Sequence, residues 1–113
     1  MNTTTTQADA SLVVGSVLYL HESVTGFSGK DRMRWCVVTA VFGRNVRVAG
    51  RSATRTDGVP VPKGVLPEFD KDGWFPRPPV RIAMVDAVAA RNVGLLPEPY
   101  LFQVLFHMNE TMP

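Results

Sequence analysis

The run RWCVVTAVF, residues 34–42, does most to limit what this chain can fold into. Trp35, Val37, Thr39 and Val41 alternate with Cys36, Val38, Ala40 and Phe42, so both faces are mostly apolar. β-branched side chains favour extended backbone, and a strand apolar on both faces has to be covered on both. The run therefore predicts a central strand between two layers. GRN at 43–45 is a tight connection, and NVRVAG at 45–50 returns as the hairpin partner, with Val46 and Val48 on one face and Arg47 on the other. The mouth of this strand raises a chemical question. Lys30, Arg32 and Arg34 crowd against it, with Asp31 the sole carboxylate beside them in sequence.

The flanks fill in an architecture. Residues 1–10, MNTTTTQADA, are polar and repetitive and predict a disordered tail, leaving 11–113 as a single domain. They carry neither the basic nor the apolar region of a secretory signal, and no apolar run approaches a membrane span. SLVVGSVLYLH at 11–21 reads as a strand with Gly15 at a bend or bulge, and HESVTGFSGK at 21–30 as a loop. The stretch 51–79 holds six prolines; it predicts a mobile first part, RSATRTDG, then short irregular strands, with a turn at DKDG, 70–73. PVRIAMVDA at 79–87 reads as a strand, with Asp86 capping a short helix near 86–93 that stops at Gly94. A helix near 99–108 follows from Leu101, Val104, Leu105 and Met108 at i, i+3, i+4 and i+7. Phe102 and Phe106 make a second apolar face, which suggests a subunit or partner contact. Strands first and helices last give an α+β class, mainly β: a small barrel of about five to seven strands with appended helices.

Charge and rare residues narrow the function. The net charge of +2 permits nucleic acid as a partner without demanding it, and nine of the twelve basic residues are arginine, the better fork for phosphate. The single cysteine, Cys36, excludes an internal disulfide and fits a reducing, cytoplasmic setting. His21 and His107 stand far apart, so neither a metal site nor a cofactor is expected. EFDKDG at 68–73 has the opening spacing of a calcium loop, but its twelfth position is Pro79, where a bidentate Glu is needed. No phosphate-binding P-loop and no GxSxG elbow occurs.

One constellation remains. In an antiparallel hairpin the start of the first strand lies beside the end of the second, so Arg34 should approach residues 50–54. There RSATRT sets Ser52, Thr54 and Thr56 between and beside Arg51 and Arg55. Guanidinium groups beside hydroxyls make a pocket for a phosphodiester: the cation stabilises developing negative charge and the hydroxyls position it. Charged loop ends solvated at a barrel rim would give the same pattern.

The order of these features resembles the MazF/PemK (Kid-like) toxins. The opening strand is similar in Gly15-Ser16-Val17-Leu18-Tyr19-Leu20, and the R-P-x-V-V-x motif in Arg34-Trp35-Cys36-Val37-Val38-Thr39, with Trp35 in place of the proline and Arg32 as the alternative motif arginine. The hydroxyl element is similar in Arg51-Ser52-Ala53-Thr54, and the closing pattern in Val93-Gly94-Leu95-Leu96 with Leu101 and Val104-Leu105. The resemblance implies an SH3-like barrel and a metal-independent endoribonuclease toxin of a type II toxin–antitoxin system. Such an enzyme cuts single-stranded RNA by 2′-OH attack, forms a homodimer and is silenced by an antitoxin protein. It implies catalytic roles for Arg34, Ser52 and Thr54. Lys30, Arg32, Arg51 and Arg55 would track the RNA backbone, with Trp74 and Phe75 as base-stacking candidates. The alternatives are an SH3-like barrel without catalysis that binds nucleic acid or protein, and an interaction protein that uses its C-terminal helix.

Overall fold

The computed structural model describes residues 12–110; the expected disordered tail at 1–10 lies outside them. The domain is α+β and mainly antiparallel β. Among the described residues seven strands appear: β1 Ser16–His21, β2 Met33–Phe42, β3 Asn45–Gly50, β4 Val59–Val61, β5 Gly73–Phe75, β6 Val80–Ala83 and β7 Arg91–Leu95. Among the same residues three helices accompany them: α1 Glu22–Thr25, α2 Met84–Ala89 and α3 Glu98–His107.

The expected central strand is β2. It pairs with β1 on one side and β3 on the other, within a sheet ordered β6-β3-β2-β1-β7. Alternation along β2 divides the core. Val37 joins Val17, Ala49, Phe75, Val104 and Leu105 on one face, beneath α3 and the β4–β5 ribbon. Cys36 and Val38 join Leu18, Val46, Val48, Ile82 and Ala87 on the other, against α2. Both faces are dry because both parities of the strand are apolar.

The five-stranded sheet is open; among the described pairings β6 and β7 do not meet. Arg51 still donates its N–H to the Trp35 carbonyl of β2 (2.9 Å), and from Ser52 the chain pairs instead with β5: the Ser52 N–H donates to the Trp74 carbonyl (2.7 Å) and the Trp74 N–H to the Ser52 carbonyl (2.8 Å). This bridge carries residues 52–55 out of the sheet beside the mouth of β2.

Three expectations need correction. The loop expected at 21–30 contains α1. The His21 ring accepts the Ser23 N–H at its start, and Gly26, at φ 73°, ends it by donating to the Glu22 carbonyl; an αL glycine is a standard helix stop. Asp86 is not a cap: α2 starts two residues earlier, after Ala83, and Asp86 sits in its first turn. The helix expected near 86–93 ends at Ala89, and Arg91–Leu95 is instead strand β7, paired with β1. Pairing satisfies the outer N–H and C=O groups of β1, a demand stronger than the weak strand propensity of Asn92 and Gly94.

The C-terminal helix forms as expected. Leu101, Val104 and Leu105 are buried along it, with Met108 just past its end, while Phe102 and Phe106 are exposed, the latter by 78%. Past the helix, Glu110 receives two bonds from Arg47 (2.6 and 2.9 Å) and one from the Thr39 hydroxyl (2.9 Å), fastening this end to β2 and β3.

Candidate phosphate-binding site

Arg34 stands in β2 opposite Leu20, where β1 runs into α1. This register places it beside a carboxylate twelve residues upstream. Glu22 is almost fully buried and Arg34 nearly so, with 1% and 12% of their side chains exposed. The Arg34 Nε and Nη2 both donate to Glu22 Oε2, at 3.0 and 2.6 Å. The same oxygen takes the Ser28 hydroxyl (2.9 Å) and the Arg32 Nε (3.3 Å), while Oε1 takes the Thr25 hydroxyl (3.1 Å). Burial pushes the Glu22 carboxyl up, but the bonds from Arg34, Ser28 and Arg32 outweigh it and hold the group down at about 2. Hydrogen bonds to the charged form favour that form.

The remaining Arg34 bond crosses to the next strand. Nη1 donates to the Arg51 carbonyl at 2.7 Å, tying the start of β2 to the segment after β3. The Phe27 ring lies 5.6 Å from the Arg34 guanidinium carbon. Gly50 makes room here, since a Cβ on it would meet Phe27 Cε2 at 2.6 Å and Arg34 Cδ at 2.8 Å.

A cavity of about 400 Å³ opens at this point. Its wall includes Arg32, Arg34, Arg55 and Arg77, the hydroxyl residues Ser52 and Thr54, and no carboxylate residue. The structure thus brings Arg34, Ser52 and Thr54 to one cavity, with Arg32 and Arg55 beside them. The Ser52 hydroxyl accepts the N–H groups of Thr54 (3.2 Å) and Arg55 (3.0 Å), which folds the RSATRT segment into a tight turn and aims Arg55. Arg55 is itself paired with Asp57 through two bonds, at 3.0 and 2.8 Å.

Two expected RNA contacts fall elsewhere. Lys30 is exposed in the α1–β2 loop and does not line this cavity. Arg51 turns inward: its Nη2 donates to the carbonyls of Val61 and Lys71 (2.7 and 2.8 Å), and its guanidinium carbon lies 4.0 Å from the centre of the Phe69 ring. Burial lowers its proton affinity. Its work is to hold the 59–73 segment. Of the two proposed stacking residues, Phe75 is fully buried and cannot meet a base, and Trp74 does not line the cavity. Cys36 is buried beside Arg34, and burial pushes its thiol up, which leaves it a core residue. Among the described residues no cluster of three His, Cys, Asp or Glu could hold a metal ion, and no helix is long and apolar enough to cross a membrane.

Sequence reasoning missed two participants. Glu22 answers the question posed by the arginines; its trace in the sequence is one acid in an otherwise uncharged stretch, followed four residues later by Gly26. Arg77 reaches the cavity only because the chain returns from β5 to β6 there. Comparisons with protein-family profiles, curated proteins and solved structures find no match.

Proposed function

We propose that this domain binds the phosphodiester backbone of single-stranded RNA in the arginine-lined cavity. One observation carries the reading: four guanidinium side chains and two hydroxyl residues converge on a single opening with no carboxylate residue in its wall. Arginine forks pair with phosphate oxygens in two bonds, and the hydroxyls can orient a third. The Glu22–Arg34 pair supports this arrangement from behind by fixing the angle of the guanidinium. The architecture is read as an SH3-like barrel whose open side is spanned by the β4–β5 ribbon, joined to β3 at the Ser52–Trp74 bridge.

A second reading, cleavage of that RNA by a toxin-type endoribonuclease, is favoured by Arg34 sharing the cavity with Ser52 and Thr54. In this reaction the 2′-OH attacks the adjacent phosphorus and the bond to the 5′-oxygen breaks, leaving a 2′,3′-cyclic phosphate and a 5′-OH. The arginines would stabilise the added charge on the phosphorane. Proton transfer is the weak point. Glu22 is held at about 2 with its oxygens engaged, and a guanidinium with pKa above ~12 is a poor base. The site is therefore better built to hold a phosphodiester than to cut one, which makes binding the first reading. A homodimer and an antitoxin partner belong with the cleaving reading.

The test uses a labelled single-stranded RNA decamer, with anisotropy measured across a salt series and strand integrity followed in excess EDTA. Binding should weaken with salt, and Arg32→Ala and Arg77→Ala should each lower the log–log slope by ~0.7, the value for one lost phosphate contact on a single strand. Salt-independent binding, or unchanged slopes in both variants, would refute the assignment. Discrete cuts that disappear in an Arg34→Ala protein that stays folded and still binds the strand would move the conclusion to the second reading.

A further inference from the structure

We infer that a second cavity, which also has Arg34 in its wall, is a stacking subsite for a nucleobase of the bound RNA. The inference rests on the phosphodiester-binding reading above. This cavity measures about 560 Å³ and shares Arg32, Arg34 and Ser52 with the first. The shared residues make the two cavities neighbours, so one nucleotide can place its phosphate in the first and its base in the second.

The wall of the second cavity is chemically different. Tyr19 and Trp35, paired across β1 and β2, stack with ring centres 4.2 Å apart and planes 32° from parallel. The Arg91 guanidinium from β7 lies 5.6 Å from the Trp35 ring, and Phe69 meets the same ring edge-on at 6.4 Å. Arg91, Tyr19 and Trp35 come from three adjacent strands of one sheet, so the platform is fixed by strand register. Both aromatic residues of the pair are only half-buried. A sheet-borne aromatic and guanidinium surface is a form of single-strand recognition that every base can use, because every base has a π-face.

Charge separates the two cavities by occupant. Glu68, Asp70 and Asp72 line the second among its cations Arg32, Arg34, Arg51, Lys71 and Arg91, whereas no acid lines the first. Of the cations, Arg34 is committed to Glu22 and Arg51 to two carbonyls. A second phosphate would meet three carboxylates there; a flat, uncharged base would not. Tyr19 lies outside both buried core clusters, so its ring is not needed to fill the interior.

The experiment compares two single-stranded decamers of equal charge, one carrying bases and one abasic throughout, by anisotropy with the wild-type protein, Tyr19→Leu and Tyr19→Phe. The wild type should bind the base-bearing strand about tenfold or more tightly than the abasic one, the scale of one base–aromatic stack. Tyr19→Leu should shrink that ratio to about threefold or less, leaving abasic binding unchanged, and Tyr19→Phe should preserve it. Equal binding of the two strands by the wild type would overturn the subsite and leave the phosphate reading standing. A ratio that survives Tyr19→Leu would also overturn it. Failure of both strands to bind would overturn the phosphate reading and this inference with it.

Discussion

Replacing Glu22 with glutamine tests the pair on which the site is built. The substitution keeps the shape, removes the charge, and turns one acceptor into an amide that faces donors from Arg34, Ser28 and Arg32. The magnitude follows from the carboxyl itself. Lowering it from 4.5 to about 2 corresponds to roughly 3 kcal/mol of preference for the charged form in the folded state. Removing one partner of a buried ion pair costs about 3–5 kcal/mol by a separate route, because the remaining charge is left without compensation. The two agree on a loss of about 3 kcal/mol at pH 7, equivalent to a Tm lower by on the order of 15 °C for a domain of this size.

The sign of the pH dependence is fixed. The folded-state value lies below the unfolded one, so the stabilisation is complete above about pH 5 and is lost as pH falls through the folded value. Urea unfolding of wild type and Glu22→Gln, run from pH 7 to pH 2, measures the difference directly. Other carboxylates titrate in the same range, but they titrate in both proteins and cancel. The gap should be about 3 kcal/mol at pH 7, roughly half that near pH 3.3, and under about 0.5 kcal/mol at pH 2. A gap below about 1 kcal/mol at neutral pH, or one that does not close on acidification, would refute the claim that Glu22 is charged and paired.

Two further substitutions probe the supports of the cavities. Arg51→Met removes the donors to the Val61 and Lys71 carbonyls and should cost about 2 kcal/mol, with amide exchange accelerated in 59–75 while β1 to β3 stay protected; uniform acceleration would show that Arg51 is not a local clasp. Gly50→Ala drives a methyl into Phe27 and Arg34 and should cost about 1–3 kcal/mol in thermal or urea unfolding while weakening RNA binding; unchanged stability would mean that the Arg34 side chain is not packed against Gly50.

The sequence was most informative where one local rule decided the outcome. The parity of RWCVVTAVF located the central strand, and the GRN connection fixed a hairpin whose register brought Arg34 to residues 50–54. The stripe Leu101, Val104, Leu105 and Met108 located the last helix. What escaped notice depended on partners distant in the chain. Four residues, ESVT, are too few to show helical periodicity, so α1 left no pattern, and with it went Glu22. RNVGL has little strand propensity of its own and becomes β7 through the exposed edge of β1. Arg51 and Arg55 look alike in the sequence, yet one is folded inward against Phe69 and the other lies at the cavity, a difference set by where the 59–73 segment packs.

This division of labour among the arginines determines how mutants should be interpreted. Arg34 is the residue that the pattern at the mouth of the central strand singles out, yet its charge is largely neutralised by Glu22 and its side chain is mostly buried. Arg34→Ala would strand a buried carboxylate and release the 51–55 segment from β2, so a loss of RNA binding or cleavage in that variant would not by itself distinguish contact with phosphate from loss of the scaffold. Arg32 and Arg77 are exposed at the cavity; Arg77 adds little to the interior, while Arg32 gives Glu22 one long bond from its Nε (3.3 Å). Surface cations of this kind contribute about 0–1 kcal/mol to folding, while each phosphate contact adds a measurable increment to the salt dependence of binding. Arg55 falls between these cases, since Asp57 already holds its fork. The electrostatic attraction for RNA therefore rests mainly on Arg32 and Arg77. Arg34 fixes the geometry in which they act, which is why it stands at the mouth of the central strand with its counter-charge buried behind it.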